Sequence, residues 1–327
     1  MTEARAATAR SAESFPTLNR AYGSVFVPQR MSVGLVVPLE NYARSSVPAM
    51  ERHLERARLA EELGFAALWL RDVPFHVPAF GDAGQLYDPF VYLGLLAGCT
   101  ERIALGVASL VLPLRHPAHV AKAAASVDVL SGGRLLLGIA SGDRPEEYPA
   151  LRQPFEERGE RFRAHYDALR QLAQPFPAID GASVRTNGKL DLLPKPMGGR
   201  LPLLLTGGSQ QDPRWLASHG DGWMTYPRPT AVQARVLQGW RERVRASGGP
   251  DKPVMQPLYV DLDEDPDAPP QPIHLGLRLG VRALLAHLET LETIGVHHVA
   301  LNLRFQRGDV EAALRSLARA VLPRFSA

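Results

Sequence analysis

Three clusters of small and polar residues in this 327-residue chain lie where a short apolar run gives way to a loop, and each can hold a ligand. The first is Ala108-Ser109, near the end of the run Ile103–Leu112. Small side chains among bulky ones either relieve packing inside a sheet or let a planar ring lie against the backbone. The second, Ser141-Gly142-Asp143, opens the loop after the next run, Leu135–Ala140, so a ligand touching one cluster can touch the other. Ser141 and Asp143 can equally be turn or cap residues. The third, Thr206-Gly207-Gly208-Ser209-Gln210-Gln211, separates a strand-like run from a helix-like segment. Glycines let a backbone approach an anion, a helix start offers free N–H groups, and Thr206 and Ser209 add hydroxyls. Strand, glycine turn and helix together favour a phosphate. A plain turn with Ser209 as helix cap is the alternative.

A fourth group could move protons. Arg71, Asp72 and His76 follow the apolar run Ala66–Leu70. A histidine near a carboxylate can transfer protons near neutral pH. Asp72 is expected to face the site, and His76 fits a surface loop at least as well. Other chemistries lack their signatures: there is no His-x-His after the first strand, no HExxH, no GxSxG, no P-loop and no GxGxxG. His116 and His119 start a helix, and His297-His298 begin a strand, away from a catalytic face. No metal site is expected.

The elements that must position these clusters alternate regularly from Met31 onward. Ser32–Val37 precedes the helical pattern Ala49–Leu63, and Ala66–Leu70 precedes Phe90–Gly98. Ile103–Leu112 is followed by His116–Leu130, Leu135–Ala140 by Glu156–Leu172, and Leu203–Thr206 by Pro213–His219. Gly222–Thr225 leads to Thr230–Ser247, Val254–Asp261 to Gly280–Thr293, and His297–Leu303 to Asp309–Leu322. About eight strand-then-helix units close a (β/α)8 barrel. Runs such as Leu135–Ala140 are apolar on both faces, as buried parallel strands should be. An open doubly wound sheet alternates in the same way but usually uses fewer units.

We therefore expect an α/β protein with one (β/α)8 TIM barrel over residues 31–327 and an N-terminal extension over residues 1–30. The extension reads as a frayed arm or a short helix lying against the domain. Long loops follow the second, fourth and seventh strands, at Arg71–Asp88, Ser141–Phe155 and Leu262–Leu279. In a barrel these lie on the C-terminal face, where active sites are built. The last is rich in Asp and Pro, too polar to pack tightly, and suits a mobile lid or a solvated insertion.

Composition narrows the class. With 45% hydrophobic and 22% charged residues the chain has ample material for a core. A net charge of +3 with scattered arginines gives no nucleic-acid groove. Cys99 is the single cysteine, which excludes an internal disulfide and makes the reducing cytoplasm the default. No apolar run approaches the roughly 20 residues of a membrane span, and the first 30 residues lack the apolar core of a signal peptide.

The stretch Arg102–Asp143, RIALGVASLVLPLRHPAHVAKAAASVDVLSGGRLLLGIASGD, resembles the bacterial luciferase-like flavin monooxygenase superfamily. LLLTGGSQQDPRWLASHGDGW is similar to that family's second signature, and SGDRPEEYPA and GVHHVALNLRF resemble an uncharacterised luciferase-type oxidoreductase subgroup. The resemblance covers roughly residues 31–325. It implies a (β/α)8 barrel that binds reduced FMN, or deazaflavin in some branches, in its C-terminal mouth. Ala108-Ser109 match the position where relatives often carry a non-prolyl cis peptide beside the flavin ring. Ser141-Gly142 match positions lining the ring and ribityl chain, and Thr206, Gly207, Gly208, Ser209 and Gln210 match the phosphate turn. Barrels in general hold phosphate after strands seven and eight, so the fold rule does not itself support that turn. Asp72 matches a position where relatives carry an acid or a histidine. Arg71-Asp72-Val73 departs from luciferase there, so the proton-handling role does not transfer directly.

The implied function is a two-component monooxygenase in which FMNH2, delivered by a separate flavin reductase, reacts with oxygen to give a peroxyflavin that oxidises a small organic substrate. Asp72 and His76 are the catalytic candidates. The cofactor carries the hard chemistry, and the protein positions substrate and excludes water. The alternatives are a deazaflavin-dependent dehydrogenase or reductase and a non-catalytic flavin-binding barrel. The resemblance also implies a homodimer formed through outer helices.

Overall fold

Eight apolar runs close on themselves as a parallel barrel in the computed structural model, which describes residues 15–325. Helix α1 (Arg20–Val25) precedes β1 (Ser32–Val36) and α2 (His53–Glu62); β2 (Ala67–Leu70) and α3 (Pro89–Cys99) follow. Next come β3 (Ala104–Val111), α4 (Pro117–Leu130), β4 (Leu135–Ala140), the short α5 (Glu147–Ala150) and α6 (Arg158–Leu172). A two-stranded hairpin, β5 (Ala178–Asp180) and β6 (Arg185–Asn187), occupies the insertion before β7 (Leu203–Thr206) and α7 (Pro213–His219). Then β8 (Gly222–Met224), α8 (Thr230–Ala246), β9 (Val254–Leu262), β10 (Gln271–Ile273), β11 (Gly276–Leu279) and α9 (Val281–Ile294) lead to β12 (His298–Asn302), α10 (Val310–Ala320) and α11 (Leu322–Phe325). The barrel order is β1-β2-β3-β4-β7-β8-β9-β12, each strand parallel to its neighbours, and β12 pairs back onto β1.

The helices begin where capping chemistry allows. Asp88, Asp212 and Asp309 accept backbone N–H groups of α3, α7 and α10, and Pro89, Pro117 and Pro213 fill first-turn positions whose N–H would have no partner. Gly64 (φ +91°) and Gly295 (φ +94°) end α2 and α9 in the left-handed conformation that glycine accepts without strain. The second helix starts four residues later than its apolar pattern predicts. Met50 and Arg52 are themselves left-handed (φ +59° and +53°), which the right-handed helix cannot include.

Inside the barrel, glycines on three strands leave room for three large side chains. A Cβ on Gly106 would lie 2.3 Å from the Trp69 ring, one on Gly34 2.8 Å from His298, and one on Gly138 2.5 Å from the Met224 methyl. Trp69, Met224, Leu136, Leu204, Met255 and Ala300 pack together there with Tyr22 and Val25 of α1 and with Phe26, which follows it. The helix in the N-terminal extension thus plugs the lower end of the barrel. Asn19 fixes it by donating to Asp128 Oδ1 (2.9 Å) and Leu135 O (2.8 Å), and the Tyr22 hydroxyl donates to Asp221 O (2.6 Å).

The Asp- and Pro-rich segment after β9 is more ordered than its composition implies. Its second half forms β10 and β11, and β11 pairs in parallel with the outer part of β9. Arg278 on β11 donates to Asp263 at 2.7 Å and 3.0 Å, so the charge that opposes core packing is used to hold the loop down.

Candidate functional site

At the C-terminal end of β3 the pairing with β4 slips between Val107 and Leu110, and the intervening Ala108–Ser109 peptide is cis. The resemblance implied a non-prolyl cis bond at this place. Both residues are half-buried. The hydroxyls of Ser109 and Thr206 hydrogen-bond to each other, and Met224 Sδ lies 3.6 Å and 3.2 Å from them. Ends of β3, β7 and β8 are thereby joined in one low platform. Gly138 keeps it low, since a Cβ there would stand 2.4 Å from Val107 O. Beside it, Gly142 is left-handed (φ +77°), and a Cβ would meet Val111 at 2.7 Å. The Tyr148 hydroxyl donates to Ser141 O, which fixes the start of the β4 loop. Burial pushes that phenol up to about 12, so it stays a donor. The result is a low rim of small residues at Ala108, Ser109 and Gly142, with Gly138 buried beneath it.

The turn after β7 has three left-handed residues, Gly207 (φ +55°), Ser209 (φ +43°) and Gln210 (φ +56°). Among the described residues, none accepts a hydrogen bond from the N–H groups of Gly208, Ser209 or Gln210. Successive N–H groups in such a turn form a concave donor set for an anion. The turn is braced from beneath: Gly207 N donates to Met224 O (2.8 Å) and Trp223 Nε1 to Gly207 O (2.9 Å). Gln211 ties it to α6 by donating to Gly159 O (2.7 Å) and accepting from Arg163 (2.9 Å).

Two details of the expected phosphate site are corrected by this geometry. The Ser209 hydroxyl is buried and donates to Thr206 O (2.7 Å), so it shapes the turn and has no proton left for a ligand. The start of α7 is also taken, because Asp212 accepts from Arg214 N (2.7 Å) and Pro213 has no N–H. The donors on offer are the backbone groups of the turn itself. Gly208 is exposed, and a side chain there would meet nothing within 4 Å.

Asp72 lies two residues past the end of β2, but it is buried and both its oxygens are engaged. Oδ1 accepts from Arg115 Nη2 (2.8 Å), and Oδ2 accepts from Arg115 Nε (3.0 Å) and Val111 N (3.0 Å). A carboxylate so held positions the end of β3, with three donors already on its two oxygens. Arg115 also pairs with Asp88 at 2.8 Å. His76 is exposed and forms no hydrogen bond among the described residues. The structure therefore brings Ala108, Ser109, Thr206 and Gly142 around one platform.

Sequence reasoning missed a charged cluster above the platform. Asp82 is buried and forms ion pairs with both Arg71 and Arg304. Arg144 donates from Nη2 to Asp82 O (3.3 Å) and lies under the Phe80 ring (4.9 Å). Its Nη1 is buried without a hydrogen-bond partner and stands 4.0 Å from the buried carboxyl of Glu147. Burial holds Glu147 above the usual carboxylate range against the opposing pull of Arg144, and it holds Arg144 below its ordinary value. The signal was available: Arg71, Arg144 and Arg304 all follow closely on the C-terminal ends of barrel strands, β2, β4 and β12. A separate cavity of about 180 Å³, lined by Val25, Met31, Val33 and Phe325 among others, lies by the start of β1 at the opposite end. Among the described residues no His, Cys, Asp or Glu cluster could hold a metal ion, and no helix is long and apolar enough to cross a membrane.

The family model for luciferase-like monooxygenases matches residues 31–320. An uncharacterized protein of Mycobacterium tuberculosis is 32% identical over 233 residues, 64% of this chain and 79% of that protein. Among solved structures, an F420-dependent secondary alcohol dehydrogenase in complex with an F420-acetone adduct superposes with a TM-score of 0.74 at 18% identity, over 91% of this chain and 100% of that one. The oxygenating constituent of 3,6-diketocamphane monooxygenase from Pseudomonas putida, a type II Baeyer-Villiger enzyme in complex with FMN, gives 0.69 at 13% identity, over 90% and 99%. At such identities the likeness of these two structures is one of fold.

Proposed function

Because the chain belongs to the luciferase-like monooxygenase family, a family of flavin-dependent oxidoreductases, we propose that it is an enzyme that binds reduced FMN in the barrel mouth and oxygenates a small organic substrate. The observation that carries this reading is the platform of Ala108, Ser109 and Gly142 joined through Thr206 to the donor turn Gly207–Gln210. A flat ring needs a surface without protruding side chains, and a phosphate needs converging N–H groups. The residues present fit such a cofactor. Ala108, Ser109, Ser141 and Gly142 would line the ring and its chain, Thr206 would stand between ring and phosphate, and Gly207, Gly208, Ser209 and Gln210 would hold the phosphate through their backbone.

A bound flavin supplies the redox chemistry. The chain supplies the rest. Asp72 and Arg115 hold the end of β3 in place by the bonds to Val111 N and between their side chains. Glu147 is a buried carboxyl beside Arg144 whose burial favours the protonated form, and it is the group proposed to hand on a proton. Phe75, Phe80 and the β4 loop would exclude water from the mouth. Reduced FMN would come from a separate reductase, since no nicotinamide fingerprint occurs in the sequence.

Deazaflavin is the second reading, favoured by the F420-dependent relatives in the same fold. Titration of the purified protein with FMNH2 and with reduced F420, followed by mixing with oxygen, separates the two. Selective FMNH2 binding with a flavin spectrum distinct from the oxidised and reduced forms supports oxygenation. Selective F420 binding overturns it, and FMN binding with the oxygen kinetics of free flavin leaves a binding protein. Gly208→Asp tests the phosphate turn: it should weaken FMN binding on the order of tenfold or more by placing a carboxylate against the phosphate. Unchanged affinity would remove the phosphate from this turn.

A further inference from the structure

The charged cluster above the platform has more positive charge than its own carboxylates balance. Arg71, Arg144 and Arg304 face Asp82, which is shared by two of them, and Glu147, which stands 4.0 Å from Arg144 and outside hydrogen-bond reach. Asp72 is committed to Arg115. Asp143 is exposed at the rim. Tyr42 and Tyr259 also pack against Arg71 and Arg304, Ser45 O accepts from Arg304 Nη2 (3.2 Å), and Gln85 bonds to the Arg71 backbone, but none of these groups carries a charge at neutral pH.

A buried guanidinium with an idle donor is costly unless something pairs with it. Arg144 is 7% exposed, and its Nη1 has no hydrogen-bond partner. The Nε of Arg304 is likewise buried and without one. Arg71 keeps a quarter of its side chain accessible (25%), so the cluster is not sealed from solvent. The Phe80 ring, 45% exposed and carried on one short turn, lies over the Arg144 guanidinium. Removing that ring would uncover the face of the guanidinium it lies against.

We propose that the substrate carries an oxyanion, a carboxylate or sulfonate, and that Arg144 and Arg71 bind it above the platform while Asp82 and Arg304 hold Arg71 in place. Planar guanidinium forks match such groups in charge and geometry, which a lysine does not. The oxyanion end would then be fixed over the loops after β2 and β4, and the remainder of the molecule would extend over Ala108–Ser109. This rests on the flavin reading for the identity of the reaction site, but its test does not depend on flavin.

The experiment is calorimetric titration of the full chain with hexanoate and hexanesulfonate, with hexanamide as the uncharged match. Titrations are run on flavin-free protein and on protein saturated with FMN or with F420. The anions should bind and hexanamide should not. Arg144→Gln should weaken anion binding by roughly tenfold or more, as loss of charge-assisted bonds does, and Arg144→Lys should restore it only in part. Should Arg144→Gln unfold by circular dichroism, Phe80→Ala provides the second arm, and it should strengthen anion binding by uncovering that face of the guanidinium. Equal binding of hexanamide, or anion affinity indifferent to these variants, overturns the proposal. So does loss of hexanoate binding on saturation with either flavin, which would assign the arginines to the cofactor. The Gly208→Asp protein keeps the two readings apart: normal FMN affinity there sinks the phosphate turn, whereas its hexanoate affinity should equal that of the parent.

Discussion

Trp69 Nε1 donates to His298 Nε2 across the barrel interior at 2.8 Å, and this one bond settles the protonation of a histidine in the core. With Nε2 accepting, the ring proton sits on Nδ1 and is donated to Ser32 Oγ (2.7 Å), whose own proton goes to Val25 O (2.7 Å). The chain of donors is complete only for a neutral ring. Burial depresses His298 to about 3 and, with a smaller contribution from Arg241, His297 to about 4.

That depression sets a pH window. Above the ordinary histidine value of about 6.5 neither state takes up a proton, and the stability conferred is fully present. Below it the unfolded chain binds protons that the folded chain refuses, so stability falls at about 1.4 kcal/mol per pH unit for each histidine, until the folded values are reached. Denaturant midpoints between pH 7 and 4.5 should decline accordingly. His298→Gln should make the decline shallower by one histidine's share. An unchanged slope in that variant would show that His298 is not the group responsible.

Trp69 also explains a glycine. Gly106 faces it from the neighbouring strand, and a methyl there would lie 2.3 Å from the ring, which is itself fully buried in the core. Gly106→Ala should destabilise the barrel by about 1–3 kcal/mol through overpacking. The exposed Gly208→Ala, which meets nothing within 4 Å, should be close to neutral in the same urea titration. Equal effects of the two would refute the packing argument.

The contrast between Gly106 and Gly208 shows what was legible in the chain. Runs such as Leu135–Ala140 and Leu203–Thr206 announce buried parallel strands, and their bounds coincide with β4 and β7, because continuous apolar character is a local property. The platform at Ala108–Ser109 was legible as small residues at a strand end. The roles of individual polar side chains were not. Whether Ser209 Oγ points to a ligand or back to Thr206 O depends on a left-handed φ that serine rarely adopts. Asp72 looks like a proton carrier until Arg115, 43 positions later, is brought against it. Arg304 meets Asp82 across 222 positions, a contact that follows only from closing the barrel.

Asp72 therefore invites a test of position against proton transfer. Asp72→Asn keeps one acceptor but loses the charge that Arg115 pairs with, and Arg115 retains Asp88. The expected cost is about 2 kcal/mol, at the lower end for a broken buried pair because Arg115 keeps 24% of its side chain in water. Affinity for FMN should fall with it as the end of β3 loosens. The pH dependence of reoxidation of the bound reduced flavin should keep its shape. A lost inflection in that profile would return the proton to Asp72.

Glu147 makes the complementary prediction. Its carboxyl is raised chiefly by burial and further by Asp72 and Asp143, while Arg144 and the long bond from Phe75 N (3.4 Å) lower it. The acid form consequently persists above the usual glutamate range in the folded protein. A step that needs this proton slows as pH rises through the raised value, and Glu147→Gln removes the inflection because an amide does not titrate there. Rapid mixing of the reduced, FMN-bound protein with oxygen from pH 5 to 9 reads the profile directly. Stability should respond with the opposite sign to the histidines. The unfolded carboxyl ionises from about 4.5 upward, so the folded state's advantage is complete below that pH and is lost as pH rises through the folded value. In Glu147→Gln that loss disappears along with the kinetic inflection. An inflection that survives in the variant assigns the proton to a different group.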